Sequence, residues 1–345
     1  MGYRIRFVAL SAVAALCLPV LPGAASAAES AVILMYHRIG DDRYPTTNIR
    51  IDQFESHLAE LKAGGYHVLP VPEIVAAIRE GKPLPDRAVG ITIDDAYRSV
   101  FENGWPRLKA AGFSFTLFMA TDPVDQASAG ANSEYMSWDQ VRELVAGGVT
   151  VGNHTASHLH MADASPEQNR REIERAAARF QENLGMKPAL FAYPYGEAGL
   201  ATARLVADMG FPIAFGQFSG AIGPDPELYY LPRFALNETY GDIKRFRQVA
   251  SAVAMSVTDV TPADPLVGAI NPPAIGFTVR RPTQGLERLT CYMSSEKSNL
   301  ERLGDTRFEV RVQKPFAKGR ARLNCTMPAA DGRWYWYGRQ FYVGR

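Results

Sequence analysis

The chain has 345 residues, 47% of them hydrophobic and 21% charged, with a formal net charge of +1. That is enough apolar material for one large domain and a small one, and a charge balance too neutral for a nucleic-acid partner. The first residues, MGYRIRFVALSAVAALCLPVLPGAASA, set Arg4 and Arg6 before an apolar run from Phe7 to Val20, with small residues at Ala25-Ser26-Ala27. This pattern predicts a cleaved export signal over 1–27, a mature chain from Ala28, and a periplasmic or extracellular location. The run is short for a membrane span, Leu16 before Cys17 does not suit lipidation, and no later stretch is long and apolar enough to cross a bilayer. Removal of the signal leaves Cys291 and Cys325, and an even count in an exported chain predicts one disulfide rather than catalytic thiols or a cysteine metal site.

Ala31 to Tyr36 (AVILMY) reads as a buried strand ending on His37. A helix follows through Phe54, Leu58 and Leu61, then a short strand over Tyr66 to Val71 and a helix over Glu73 to Arg79. Gly90 to Arg98 (GITIDDAYR) is a β-prone run that stops on two adjacent acids, Asp94 and Asp95. Like charges this close do not both stay ionised cheaply, so one keeps a proton or a cation sits between them, unless the pair merely caps a turn or helix.

The alternation continues with a helix over Trp105 to Ala111, a strand over Phe113 to Met119, and a loop over Thr121 to Ser133. Ser137 with Gln140 predicts a capping box, and Val149 to Gly152 a strand leading into NHTASHLH. Ser165, Pro166 and Gln168 open a long helix that stops at Gly185. A strand over Ala189 to Tyr193 precedes Pro194-Tyr195-Gly196, then come a helix over Ala201 to Met209 and a strand over Pro212 to Phe215. Repeated strand–helix units predict a parallel sheet, and their number predicts a distorted (β/α) barrel over 28–257. The prolines of 258–273 read as a linker, and 274–345 as a small all-β sandwich with the disulfide as its staple. Its last run, WYWYGRQFYV, reads as a strand with one face in the core, or as a carbohydrate-stacking face.

In a barrel, residues at the C-terminal ends of strands meet at one mouth. His37, Asp94, Asp95, His154, His158 and Tyr195 all fall there by this reading. His154 and His158 are four apart, so one helical turn would aim both imidazoles the same way, and two histidines with one carboxylate suit a divalent ion. An HxxxH pair alone is weak evidence, and so is Asp-Asp alone; their joint occurrence after short strands is stronger. His160 reads as loop, and His57 and His67 have no such context.

TIDD, HTASH and YPYG, in that order, resemble the first three motifs of the NodB-type polysaccharide deacetylases, carbohydrate esterase family four, over about residues 30 to 250. LMYHRIG resembles the exported branch acting on poly-N-acetylglucosamine in biofilms. The resemblance implies that Asp95, His154 and His158 hold a divalent metal, zinc first, and that Asp94 is the base toward the attacking water. It implies Tyr195 as backbone oxyanion donor and an acetylated polysaccharide as substrate. The family's usual late Leu-x-His motif has no counterpart, since no histidine follows His160, and the branch resemblance assigns the acid role to His37 instead. Phe191-Ala192-Tyr193 stands where the third motif usually has arginine, which leaves Arg233 as the candidate to orient Asp94 or as a structural salt bridge. The alternatives are an O-acetyl esterase, an inactive carbohydrate-binding protein on the same fold, and, last, an unrelated metal hydrolase such as one cleaving phosphate esters. Oligomeric state is not legible in the sequence.

Overall fold

AVILMY and AVGITID are apolar on both faces, the composition of strands covered by helices. A computed structural model shows them as adjacent parallel strands, β1 (Ala31–Tyr36) and β2 (Ala88–Asp94), with every residue buried. Residues 1–3, 27–28, 30–294 and 296–344 are described, so the expected export signal over 1–27 lies almost wholly outside the described residues. Five further strands follow: β3 (Thr116–Met119), β4 (Thr150–Asn153), β5 (Phe191–Ala192), β6 (Ala214–Phe215) and β7 (Phe234–Ala235). All pair in parallel in the order β7-β1-β2-β3-β4-β5-β6. Leu231 bridges Phe215 of β6 while Phe234 pairs with Leu34 of β1, so the stretch from Leu231 to Ala235 joins the two edges and closes a distorted (β/α) barrel.

Local chemistry sets the outer helices. Ser137 accepts the Gln140 N–H and Gln140 accepts the Ser137 N–H at the start of helix Trp138–Ala146; Ser165 and Gln168 repeat the exchange at helix Pro166–Leu184. Gly185 ends that helix at φ 68°, a left-handed cap that glycine adopts without strain. Three local expectations change. The loop over Thr121 to Ser133 begins as helix Thr121–Ser128, because burial of Val124 outweighs weak propensity. The strand over Tyr66 to Val71 shrinks to His67–Val68, because Pro70 and Pro72 start helix Val71–Glu80. A polar stretch unassigned from sequence, Ile243–Ala250, is a helix whose first N–H groups are capped by Asp242 and whose Phe246 and Val249 are buried.

The rest of the chain is β: β8 (Val253–Ala254), β9 (Ser256–Thr261), β10 (Ile275–Arg281), β11 (Thr290–Met293), β12 (Ser298–Leu303), β13 (Arg307–Val312), β14 (Gly319–Pro328) and β15 (Trp334–Val343). They form two four-stranded sheets, β8-β15-β14-β11 and β9-β10-β13-β12, around Phe277, Phe308, Leu323 and Phe341. The stretch expected as a linker over 258–273 begins inside β9, where Val257 and Val260 pack on this core; prolines enter only from Pro262. Cys291 and Cys325 are bonded across β11 and β14, so the staple joins neighbouring strands of one sheet.

Period-two alternation decides which face of this sheet meets the barrel. Ala321, Leu323, Cys325 and Met327 of β14 face the sandwich core, as do Tyr335, Tyr337 and Phe341 of β15. The alternate residues of β15 meet the barrel: Trp336 edges onto Phe234 with ring centroids 5.0 Å apart, Gln340 donates to the Gly196 carbonyl at 2.7 Å, and the Tyr342 hydroxyl bonds Asp163 at 2.6 Å. Between them a Cβ on Gly338 would stand 1.8 Å from the Ser219 carbonyl oxygen, so the two backbones can meet only at glycine. Among the described residues no helix is long and apolar enough to cross a membrane.

Candidate active site and metal centre

The loops after β1, β2, β4 and β5 bring His37, Asp95, His154, His158 and Tyr195 into one cavity of about 890 Å³, with Asp94 and Arg233 in its wall. The backbone there is strained: Asp95, Ala96, Thr155, His158 and Tyr195 have φ between 55° and 74°. Non-glycine residues hold such values only where the surroundings fix them, and such positions cluster at functional sites.

The HxxxH pair is not a helical turn, contrary to the sequence expectation. After β4 the chain is a loop in which Thr155 and His158 adopt φ 66° and 58°. Asn153 Oδ1 accepts the Thr155 N–H at 2.8 Å, and Thr155 Oγ1 accepts the His158 N–H at 3.1 Å. These two turns bring the imidazole centroids to 4.8 Å. Asp95 Oδ1 lies 3.6 Å from His154 Nε2 and 3.2 Å from His158 Nε2, and one ligand atom from each residue falls within 4.8 Å of the others.

These three residues fit a divalent ion on their own chemistry. Asp95 Oδ1 is buried without a hydrogen-bond partner, an arrangement that costs free energy unless a cation meets it. Burial pushes both imidazoles down to about 4, so they are neutral ligands at neutral pH. His154 Nδ1 donates to the Ala192 carbonyl at 2.7 Å, which leaves the Nε2 lone pair facing Asp95.

Asp94 has a different environment. It is 2% exposed, and Arg233, fully buried, forks onto it with Nη1 to Oδ1 at 2.7 Å and Nη2 to Oδ2 at 2.8 Å. Arg233 also donates to the Gly216 carbonyl at 3.0 Å and to Thr92 Oγ1 at 3.2 Å. Burial alone would raise the Asp94 carboxyl, but the Arg233 guanidinium, with His154 and His37 nearby, holds it below the usual carboxylate range. His37 Nε2 stands 4.0 Å from Asp94 Oδ2 and 3.4 Å from Gln217 Nε2.

Tyr195 sits at φ 58° with its ring stacked on His160, centroids 3.9 Å apart at 7°, and edge-on to His158 at 4.4 Å. His160 had read as loop; its Nδ1 bonds Glu197 Oε2 at 2.6 Å, and Glu197 is 1% exposed. Glu197, His160, Asn153 and Gln217 are thus site residues that sequence reasoning missed. The available signals were Asn directly before the HxxxH pair and an acid directly after the Pro-Tyr-Gly turn. His57 lies outside the site, buried between the Tyr36 hydroxyl (3.0 Å) and the Gly241 carbonyl (2.9 Å) and stacked on Phe246.

Residues 81–214 match the model of a family described as polysaccharide deacetylase. The chain is 25% identical over 256 residues to the poly-beta-1,6-N-acetyl-D-glucosamine N-deacetylase of Escherichia coli K12, which covers 63% of this chain and 38% of that protein. It is 23% identical over 233 residues to the protein of the same name from Staphylococcus aureus, covering 61% and 80%. The solved structure of IcaB from Ammonifex degensii superposes with a TM-score of 0.54 at 27% identity, over 65% of this chain and 97% of that one.

Proposed function

From the match of residues 81–214 to the polysaccharide deacetylase family, we propose that this chain is a NodB-type deacetylase of carbohydrate esterase family four, a metal-dependent hydrolase removing N-acetyl groups from an N-acetylhexosamine polysaccharide of the poly-N-acetylglucosamine kind. The observation that carries the reading is the pairing of two unlike carboxylates in one cavity. Asp95 presents an unpartnered oxygen to two neutral histidines, and Asp94 beside it is clamped by Arg233. Zinc is the ion this donor set suits best. Export, with action in the periplasm or outside the cell, belongs to the same reading and rests on the pattern of residues 1–27.

Asp95, His154 and His158 would hold a divalent ion, and that ion would supply Lewis acidity toward the acetyl carbonyl and toward a water near neutral pH. Asp94, kept ionised by Arg233, takes the proton from the attacking water. The Arg233 fork fixes the carboxylate plane, so the base meets the water in one orientation. The Tyr195 N–H stabilises the developing oxyanion, with the turn that aims it held by the His160 stack. His37 gives a proton to the departing amine, which leaves poorly without one.

The test is acetate release from N-acetylglucosamine oligomers, abolished by a chelator and restored by zinc or cobalt. An Asp94→Asn protein with undiminished turnover would sink the mechanism. His37→Ala should slow hydrolysis of the amide more than that of an O-acetyl ester, because an alkoxide leaves without a strong acid. Equal losses on both substrates would remove His37 from the acid role, and a preference for the ester would favour an O-acetyl esterase.

A further inference from the structure

The cavity that holds Asp94 and Asp95 is completed by the C-terminal sheet. β14 alternates strictly, so Arg320, Arg322 and Asn324 turn from the sandwich core into this cavity, and Trp336 of β15 joins them. Asp94 and Asp95 are the only acids among the described lining residues, and both are committed, one to Arg233 and the other to the histidine cluster. Arg245, Arg320 and Arg322 remain as lining cations. Arg320 shares Glu197 at 3.7 Å with His160. The hydrogen bonds of Arg322 go to neutral groups, the Gln217 carbonyl at 3.2 Å and Gln340 Oε1 at 2.9 Å, and that of Arg245 goes to the Tyr240 carbonyl at 2.9 Å. Burial lowers both guanidinium groups from the ordinary arginine range, as expected of cations withdrawn from water beside neutral partners.

We propose that β14, with Arg245, forms an anion-reading wall of the deacetylation cavity, which takes a sugar carrying a carboxylate, sulfate or phosphate group next to the acetylated residue. The proposal rests on the reading of this cavity as a deacetylase site and replaces the neutral poly-N-acetylglucosamine-type polymer of that reading by an acidic polysaccharide that contains N-acetylhexosamine. Guanidinium forks match such oxyanions. They also repel the ammonium that each deacetylation creates, so a run of deacetylated hexosamines is the polymer this wall disfavours. At about 890 Å³ the cavity is at the upper end of the ~300–1,000 Å³ of small-molecule sites, room for more than one sugar.

The experiment compares three tetrasaccharides on the full-length, zinc-loaded protein: N-acetylglucosamine alone, N-acetylglucosamine alternating with glucuronate, and a sulfated form of the second. Binding is measured by calorimetry at low and high salt, and acetate release alongside. The acidic probes should bind about tenfold or more tighter than the neutral one at low salt, with the advantage shrinking as salt rises. Arg322→Gln and Arg245→Gln should each bring that ratio toward one, Arg322→Lys should keep most of it, and Asn324→Asp should reverse it. The ratio between the two acidic probes identifies which anion the wall prefers. A wild-type ratio near one, or a ratio unmoved in folded glutamine variants, would overturn the wall. Acidic preference without acetate release from any probe would remove the deacetylase reading and keep the wall; acetate release from the neutral probe without preference would do the reverse.

Discussion

Replacing Arg233 by methionine separates an ion pair that the barrel encloses completely. The wild-type side chain is fully buried and holds both oxygens of Asp94 at 2.7 and 2.8 Å, together with the Gly216 carbonyl and Thr92 Oγ1. Its removal leaves a carboxylate that is 2% exposed without its counter-ion. Breaking a buried pair from one side costs about 3–5 kcal/mol, a large part of the ~5–15 kcal/mol that separates typical folded and unfolded chains. At ~2–4 °C per kcal/mol the melting temperature should fall by roughly 6–20 °C. Arg233→Lys keeps the charge but not the fork, so it should lose less stability while lowering kcat about 100-fold through a misplaced base. Asp94→Asn in the Arg233→Met background should recover about 1–3 kcal/mol relative to additivity. Urea and thermal unfolding followed by circular dichroism, with acetate release on the same samples, give all of these values. A methionine variant within about 1 kcal/mol of wild type, or strictly additive single and double variants, would refute the pairing as the source of order at Asp94.

Burial draws His57 down to about 4 from its ordinary 6.5, so the folded state binds fewer protons than the unfolded one between those values. Its contribution is complete above about pH 6.5 and is lost as pH falls toward 4, a change of about 3 kcal/mol; urea unfolding of wild type and His57→Phe at pH 7, 5.5 and 4 should show a shallower slope in the variant. Gly338→Ala places a methyl where the Ser219 carbonyl stands, so it should part the C-terminal sheet from the barrel and expose the chain to limited proteolysis, whereas Gly268→Ala, with open space around its Cβ position and no left-handed backbone, serves as the comparison. Reduction of the Cys291–Cys325 bond, which spans 34 positions, should cost about 3–4 kcal/mol by loop entropy, read as a lower urea midpoint in dithiothreitol.

Features encoded within a few residues were legible in the sequence. Strands β1 and β2, both serine caps and the left-handed stop at Gly185 each follow from neighbours in the chain. That the loops bearing Asp94, Asp95, His154 and His158 meet at one mouth was also legible, because strand ends in a barrel converge whatever lies between them, whereas the choice of Asp95 over Asp94 beside the histidines came only from the family resemblance. The path by which the histidines converge was not, since a side-chain acceptor, Asn153, bends the backbone where spacing alone suggests a helix. His160 looked idle because its partner Glu197 lies 37 residues on, and its ring partner Tyr195 in a separate turn. The aromatic run WYWY divides by strand period: Tyr335 and Tyr337 pack in the sandwich core and Trp336 lines the cavity. That β14 faces the cavity holding Asp94 and Asp95 depends on contacts between Gly338 and Ser219 and between Gln340 and Gly196, pairs more than a hundred residues apart that carry no local signature.

The disulfide ties β11 to β14 on the side of β14 opposite Arg320, Arg322 and Asn324, and neither cysteine lines the cavity. Loss of this bond would act first on the strand that carries the proposed anion-reading arginines.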